Sequence, residues 1–127
     1  MILGDTVYPV FWIAGRDYGN QVAKSFEIDE GNREYIIQGP EAHTIEDAFK
    51  IFINNYKKEE LKIKYMPIGL FKYIGKFSQK ISNDAKMAEF LNGLQESFEA
   101  GKTWERLGKP SITLEEFARQ SQLNKYV

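Results

Sequence analysis

The chain has 127 residues, 43% of them hydrophobic and 28% charged, and its 17 basic and 18 acidic side chains leave a formal net charge of −1. That length suits one domain, the composition excludes a disordered chain, and the charge balance excludes the basic excess of a nucleic-acid-binding domain. There is no cysteine, so disulfides and thiolate sites are excluded; apolar runs of a few residues fall short of the roughly 20 that span a bilayer, and the opening MILGDTVYPV lacks the pattern of a secretory signal, which points to the cytoplasm.

The first predicted element is a strand over 9–13, PVFWI, with Pro9 at its head, where a missing N–H costs least. Being apolar on both faces, it suits a strand covered on both sides of a parallel sheet. A helix follows over 16–27, with Tyr18, Val22, Ala23 and Phe26 on one face and Asp17 in the first turn, where the helix dipole favours an acid. A turn over 29–32 leads to a second strand, 34–38, which Gly39-Pro40 ends.

Thr44, with Asp47 three residues on, is an N-cap for a helix over 44–57, whose Ile45, Ala48, Phe49, Phe52 and Tyr56 recur at helical spacing. A third strand over 61–66 alternates Leu61, Ile63 and Tyr65 against Lys62 and Lys64, giving one wet face. Pro67 starts a helix over 68–79, and a further helix over 84–99 carries Met87, Phe90, Leu91, Leu94 and Phe98, with Gly101 as its stop. Trp104 is read as the anchor of the loop that follows. Thr113 and Glu116 form a capping box, with Ile112 stapled onto Phe117, at the head of a helix over 114–122; the tail beyond it should fray. No repeat or linker divides the chain, so it reads as one α/β unit of about three strands and five helices, α+β in isolation.

So few strands do not complete a sheet, and unpaired edges invite partners. The expectation is a chain that supplies strands to a larger sheet or forms a homodimer through them. Candidate ligand contacts cluster at the first strand: Tyr8, Trp12, and Arg16 and Asp17 at its carboxyl end, where α/β sheets place function. Val10 and Trp12 share one face of that strand and Phe11 and Ile13 the other; one of these faces is the candidate crevice wall, and the favoured alternative is that these side chains are plain core. His43, the sole histidine, sits beside the Thr44 cap with no nucleophile near it in sequence and reads as a surface or capping residue. One histidine and no cysteine assemble no metal site unless carboxylates act alone. The stretch 69–80, GLFKYIGKFSQK, is basic and amphipathic, the pattern of a membrane-surface helix, but its flanking lysines are few and glycines interrupt it; the competing reading places its aromatics in the core.

In series, FWIAGRDYGNQVAKSF at 11–26, EYIIQGPEAHTIEDAFKIF at 34–52 and KPSITLEEFA at 109–118 resemble the C-terminal part of an NmrA-like, atypical short-chain dehydrogenase/reductase, the group also described as NAD(P)-binding or nucleoside-diphosphate-sugar epimerase-like. The likeness runs from about residue 9 to 120 and implies the C-terminal portion of a Rossmann-like fold, with a role in covering the sheet and shaping a substrate pocket. Two features of such enzymes are missing. No three glycines give the phosphate-binding G-x-G-x-x-G or G-x-x-G-x-x-G, and no tyrosine has a lysine at the Tyr-x-x-x-Lys spacing. Cofactor binding and catalysis are therefore not carried over: NAD(P) is implied only for a full-length relative, and no catalytic, cofactor-binding or metal residue is assigned. Two readings follow. One is the substrate-side half of a reductase- or epimerase-like protein, inactive without a cofactor-binding half; the other is a stand-alone homo-oligomer that binds a hydrophobic ligand or a protein partner. A membrane-surface adaptor using 69–80 is a weaker third.

Overall fold

Both threonine caps form. In the computed structural model, which describes residues 1–28 and 31–123, Thr44 Oγ1 accepts from Asp47 N at 3.1 Å and Thr113 Oγ1 from Glu116 N at 3.2 Å. Glu116 Oε2 accepts in return from Thr113 N at 3.1 Å, closing the capping box. These caps fix the starts of α2 (Ile45–Asn55) and α6 (Leu114–Ser121), which pack on each other with Phe52 between Tyr56 and Phe117, at ring-centroid distances of 5.2 and 6.2 Å.

Among the described residues there are four short strands in two separate two-stranded sheets, and six helices. The strand expected over 9–13 is β2 (Val10–Trp12), and it pairs antiparallel with β3 (Glu41–His43), with Trp12 opposite Glu41 and Val10 opposite His43. This corrects the parallel setting expected for 9–13. The other pair, β1 (Ile2–Leu3) with β4 (Tyr65–Met66), is parallel. The strand expected over 61–66 is only its last two residues, and it turns Tyr65 outward and Met66 inward, the reverse of its predicted alternation.

Residues 34–38 form no strand. The segment has no backbone–backbone hydrogen bond to any other described residue. Its apolar content was the signal for a strand, but a ladder requires a neighbour, and the neighbour is lacking. The segment is instead held at its end. Gln38, 4% exposed, donates through Nε2 to Ser97 O at 2.8 Å and accepts at Oε1 from Glu99 N at 2.8 Å and Ala100 N at 3.0 Å. Next to it, Gly39 passes so close under β2 that a Cβ there would lie 1.4 Å from Trp12 O.

α1 (Gly15–Glu27) and α5 (Gly101–Leu107) pack together, joined by Gln21 Nε2 donating to Gly108 O at 2.9 Å. α5 was not expected: Gly101, read as a helix stop, begins one. The helix predicted for 84–99 is α4 (Gln79–Gly93), displaced towards the N-terminus by a Ser78 start, and 94–99 are irregular. α3 (Ile68–Gly75) is likewise shorter than predicted. The α3–α4 hairpin closes on small groups, with Gly75 where a Cβ would be 3.1 Å from Ser82. The turn expected at 29–32 falls partly, and the fraying tail from 124 wholly, outside the described residues.

Burial is inverted in kind. Among the described residues the buried apolar ones are Ile2, Leu107 and four alanines (Ala48, Ala85, Ala100 and Ala118), whereas Phe26 is 86% exposed, Phe77 82% and Phe90 65%. Tyr73, Leu70 and Ile74 are exposed too, which corrects the reading of the 69–80 aromatics as core. On α4 the small residues Ser82, Ala85 and Ala88 face inward, while Met87, Phe90 and Leu91 lie on the opposite side at helical spacing. Tyr18, Val22 and Phe26 make an exposed stripe along α1. No helix among the described residues is long and apolar enough to cross a membrane.

Candidate functional site

The β2–β3 ribbon separates two environments. On one face Phe11 meets Phe98 at 5.7 Å, and Phe98 meets Trp104 at 4.7 Å. Trp104 lies in α5, not in a loop, and its Nε1 donates to Gln38 O at 3.3 Å. On the other face Trp12 is fixed by its Nε1 donating to His43 O at 3.0 Å, across the ribbon. Its indole forms one wall of a cavity of about 310 Å³. Ala48, Phe49 and Phe52 of α2 form the second wall, and Ile112, Leu114 and Phe117 at the head of α6 form the third.

The cavity is apolar by construction. The polar side-chain groups in its lining are the Thr113 hydroxyl, which already serves the capping box, and the Trp12 indole N–H, which is spent on His43 O. No lining residue carries a titratable side chain, so the walls can hold and orient an apolar body but offer no proton donor or nucleophile. Beside Gly15 the cavity adjoins a second hollow of about 250 Å³, and the two share Ala14, Gly15, Ile112 and Phe117. Arg16, Gln120 and Ser121 line that second hollow.

The four sequence-selected residues therefore divide. Trp12 lines the cavity and Arg16 its neighbour. Tyr8 is exposed and lines neither. Asp17 is 7% exposed, and its Oδ2 accepts from Ser111 N at 2.9 Å and Ile112 N at 2.7 Å. It is a latch from α1 to the strap that leads into α6, and through Ile112 it sets the cavity wall. The acid that sequence places at a helix start is thus used by a segment 94 residues away. His43 is part-buried, with Nε2 3.3 Å from Glu41 Oε2, and the same oxygen accepts from Leu114 N at 3.3 Å. Its surroundings are those of a ribbon side chain, outside the cavity lining. Among the described residues, no group of three or more His, Asp or Glu side chains is placed to hold a metal ion.

Sequence reasoning named Ala48, Phe49 and Phe52 only as a helix face, and Phe117 only as the staple partner of Ile112. Their convergence on Trp12 depends on α2 packing against α6, which no local pattern encodes. Gln38 was missed altogether; its one signal is an amide inside an otherwise apolar run, YIIQG. A separate polar cluster ties β4 to α2. Tyr65 Oη donates to Glu46 Oε1 at 3.0 Å and Lys50 Nζ lies 2.7 Å from the same oxygen. Hydrogen bonds from Lys50 and then Tyr65 hold the Glu46 carboxyl below its ordinary value, while Glu46 raises both Lys50 and Tyr65 above theirs. This cluster is solvated, and none of its three residues lines the cavity.

No family model, curated protein or solved structure matches the chain.

Proposed function

We propose that this chain is the substrate-side, covering part of an NAD(P)-dependent reductase- or epimerase-like protein, and that it works only when seated on a cofactor-binding half. The observation that carries the reading is residues 34–38: an apolar segment whose backbone has no ladder partner among the described residues, flanked by the open Tyr18–Val22–Phe26 stripe of α1. Backbone N–H and C=O groups left unpaired from Glu34 to Ile37, beside an apolar helix face, are what remains when a strand and its covering helix are taken from the edge of a larger sheet. In this reading 34–38 becomes a strand on the partner's sheet, the α1 stripe is buried against it, and the Trp12 cavity faces substrate. The chain contributes binding surface, and the partner contributes dinucleotide and chemistry.

The test has two arms. Isothermal titration of the isolated chain with NADP and NAD should give no heat of binding, and a micromolar dissociation constant would overturn the proposal. Co-expression with a glycine-rich βαβ protein encoded beside this gene should give a complex that Ile36→Pro abolishes, because proline removes a ladder donor.

The second reading, a homo-oligomer, is favoured by the same exposed stripes, since a second copy would also cover them. Light scattering separates the two: a monomer at high concentration removes the homo-oligomer, and a dimer broken by Ile36→Pro supports it.

A further inference from the structure

We infer that the Trp12 cavity and the Arg16 hollow together bind a small amphipathic carboxylate: an apolar body about two fused rings in size, with its anionic group at the Arg16 guanidinium. The inference rests on the proposed substrate-facing role of this cavity, which it deepens by naming a ligand class.

Size comes first. An apolar cavity of about 150 Å³ accommodates one benzene ring, so about 310 Å³ accommodates roughly two rings or an equivalent aliphatic body. Water is a poor occupant here, because a stable water needs two or more polar partners and the one hydroxyl in the lining is already used. The flat faces of Trp12, Phe49, Phe52 and Phe117 favour rings over chains through offset and edge contacts.

Charge gives the second half. Where the cavity opens past Gly15 it meets Arg16, whose guanidinium has no hydrogen-bond or ion-pair partner among the described residues. The base beside Gln120 on α6, Arg119, is engaged by Glu115. The acid nearest in sequence, Asp17, is committed to Ser111 N and Ile112 N and does not line the hollow. An uncommitted planar fork beside an apolar slot fits a carboxylate, which it can grip through two N–H groups. Gln120 adds an amide to the same hollow.

The probe is 2-naphthoate, compared with the neutral 2-naphthylmethanol, titrated into the 15N-labelled chain. The two tryptophans provide a site readout. The Trp12 indole N–H lies in the cavity wall, and the Trp104 indole, on the far face of the ribbon, is the internal control. Saturable movement of the Trp12 signal alone is expected at or below about 1 mM naphthoate. The carboxylate should bind roughly three- to tenfold more tightly than the alcohol, since an exposed guanidinium contact is discounted by solvent. Arg16→Gln should abolish that preference while leaving alcohol binding in place. Gly15→Leu, where a side chain meets open space, should obstruct both ligands.

Equal affinity for the two probes, no saturation, or binding indifferent to Gly15→Leu would each overturn the inference; the last would place the ligand on another apolar face. Failure here leaves the covering role standing. Dinucleotide binding by the isolated chain would sink that role without touching the naphthoate result.

Discussion

Replacing Gln38 by leucine removes the clip that holds residues 34–38 to the segment before α5. The two side chains are close in volume, so the change falls on hydrogen bonds and not on packing. Ala100 is fully buried, and its N–H, which donates to Gln38 Oε1 at 3.0 Å, would be left without water or partner at a cost of about 1–3 kcal/mol. Ser97 O and Glu99 N belong to exposed residues and turn to solvent when released, so each costs only about 0.5–1 kcal/mol. Together the loss is about 2–5 kcal/mol, and at this chain length each kcal/mol lowers the thermal midpoint by roughly 3–5 °C. Urea unfolding followed by far-ultraviolet circular dichroism measures the total. Trp104 emission reports the clip directly, because the indole donates to Gln38 O. A Gln38→Leu chain within about 0.5 kcal/mol of the parent would refute the assignment of Gln38 as a structural clip.

Two glycines predict opposite signs for one substitution. Gly39→Ala sets a methyl 1.4 Å from Trp12 O and 2.2 Å from Trp12 C, both backbone, so denaturant midpoints should show a loss above about 3 kcal/mol or no folded protein. Gly19→Ala, inside α1 with open space around it, should gain about 0.5–1 kcal/mol by the same measurement. Asp17→Ala frees two backbone N–H groups and should cost about 2–4 kcal/mol in urea titrations, with Asp17→Asn retaining roughly half of the contact. Both Asp17 variants should also weaken naphthoate binding, since Ile112 then loses its anchor at the cavity wall.

What the sequence revealed of this fold is what neighbours in sequence decide. The Thr44 and Thr113 caps, the amphipathic face of α2 and the strand at Val10–Trp12 all follow from patterns within about ten residues, and all are present. What it misjudged depends on distant groups. Residues 34–38 have a strand's composition, but pairing requires a second strand. Asp17 has the position of a dipole-stabilising acid, yet its two bonds go to Ser111 and Ile112. α5 was lost because Gly101 carries the same local signal whether it ends one helix or begins the next; Ala100, fully buried under the Gln38 amide, settles which. The candidate site follows the same division. Trp12 and Arg16 stand out at one strand end, while the opposing walls of the cavity come from residues legible only as a helix face and as a capping staple.

The placement of alanines inside and phenylalanines outside has a consequence for how this protein behaves in a tube. A surface carrying Phe26, Phe77 and Phe90 binds environment-sensitive dyes while fully folded, so a dye-based melting curve starts bright and its first inflection reports dye displacement, not unfolding. Anything that covers those rings binds the folded chain and not the unfolded one, so the measured midpoint rises with the concentration of the covering molecule. Detergent, a second copy or a cognate half would each give a different melting temperature for the same sequence. Stability here belongs to a mixture, and a single midpoint has meaning only beside the composition of the solution in which it was taken.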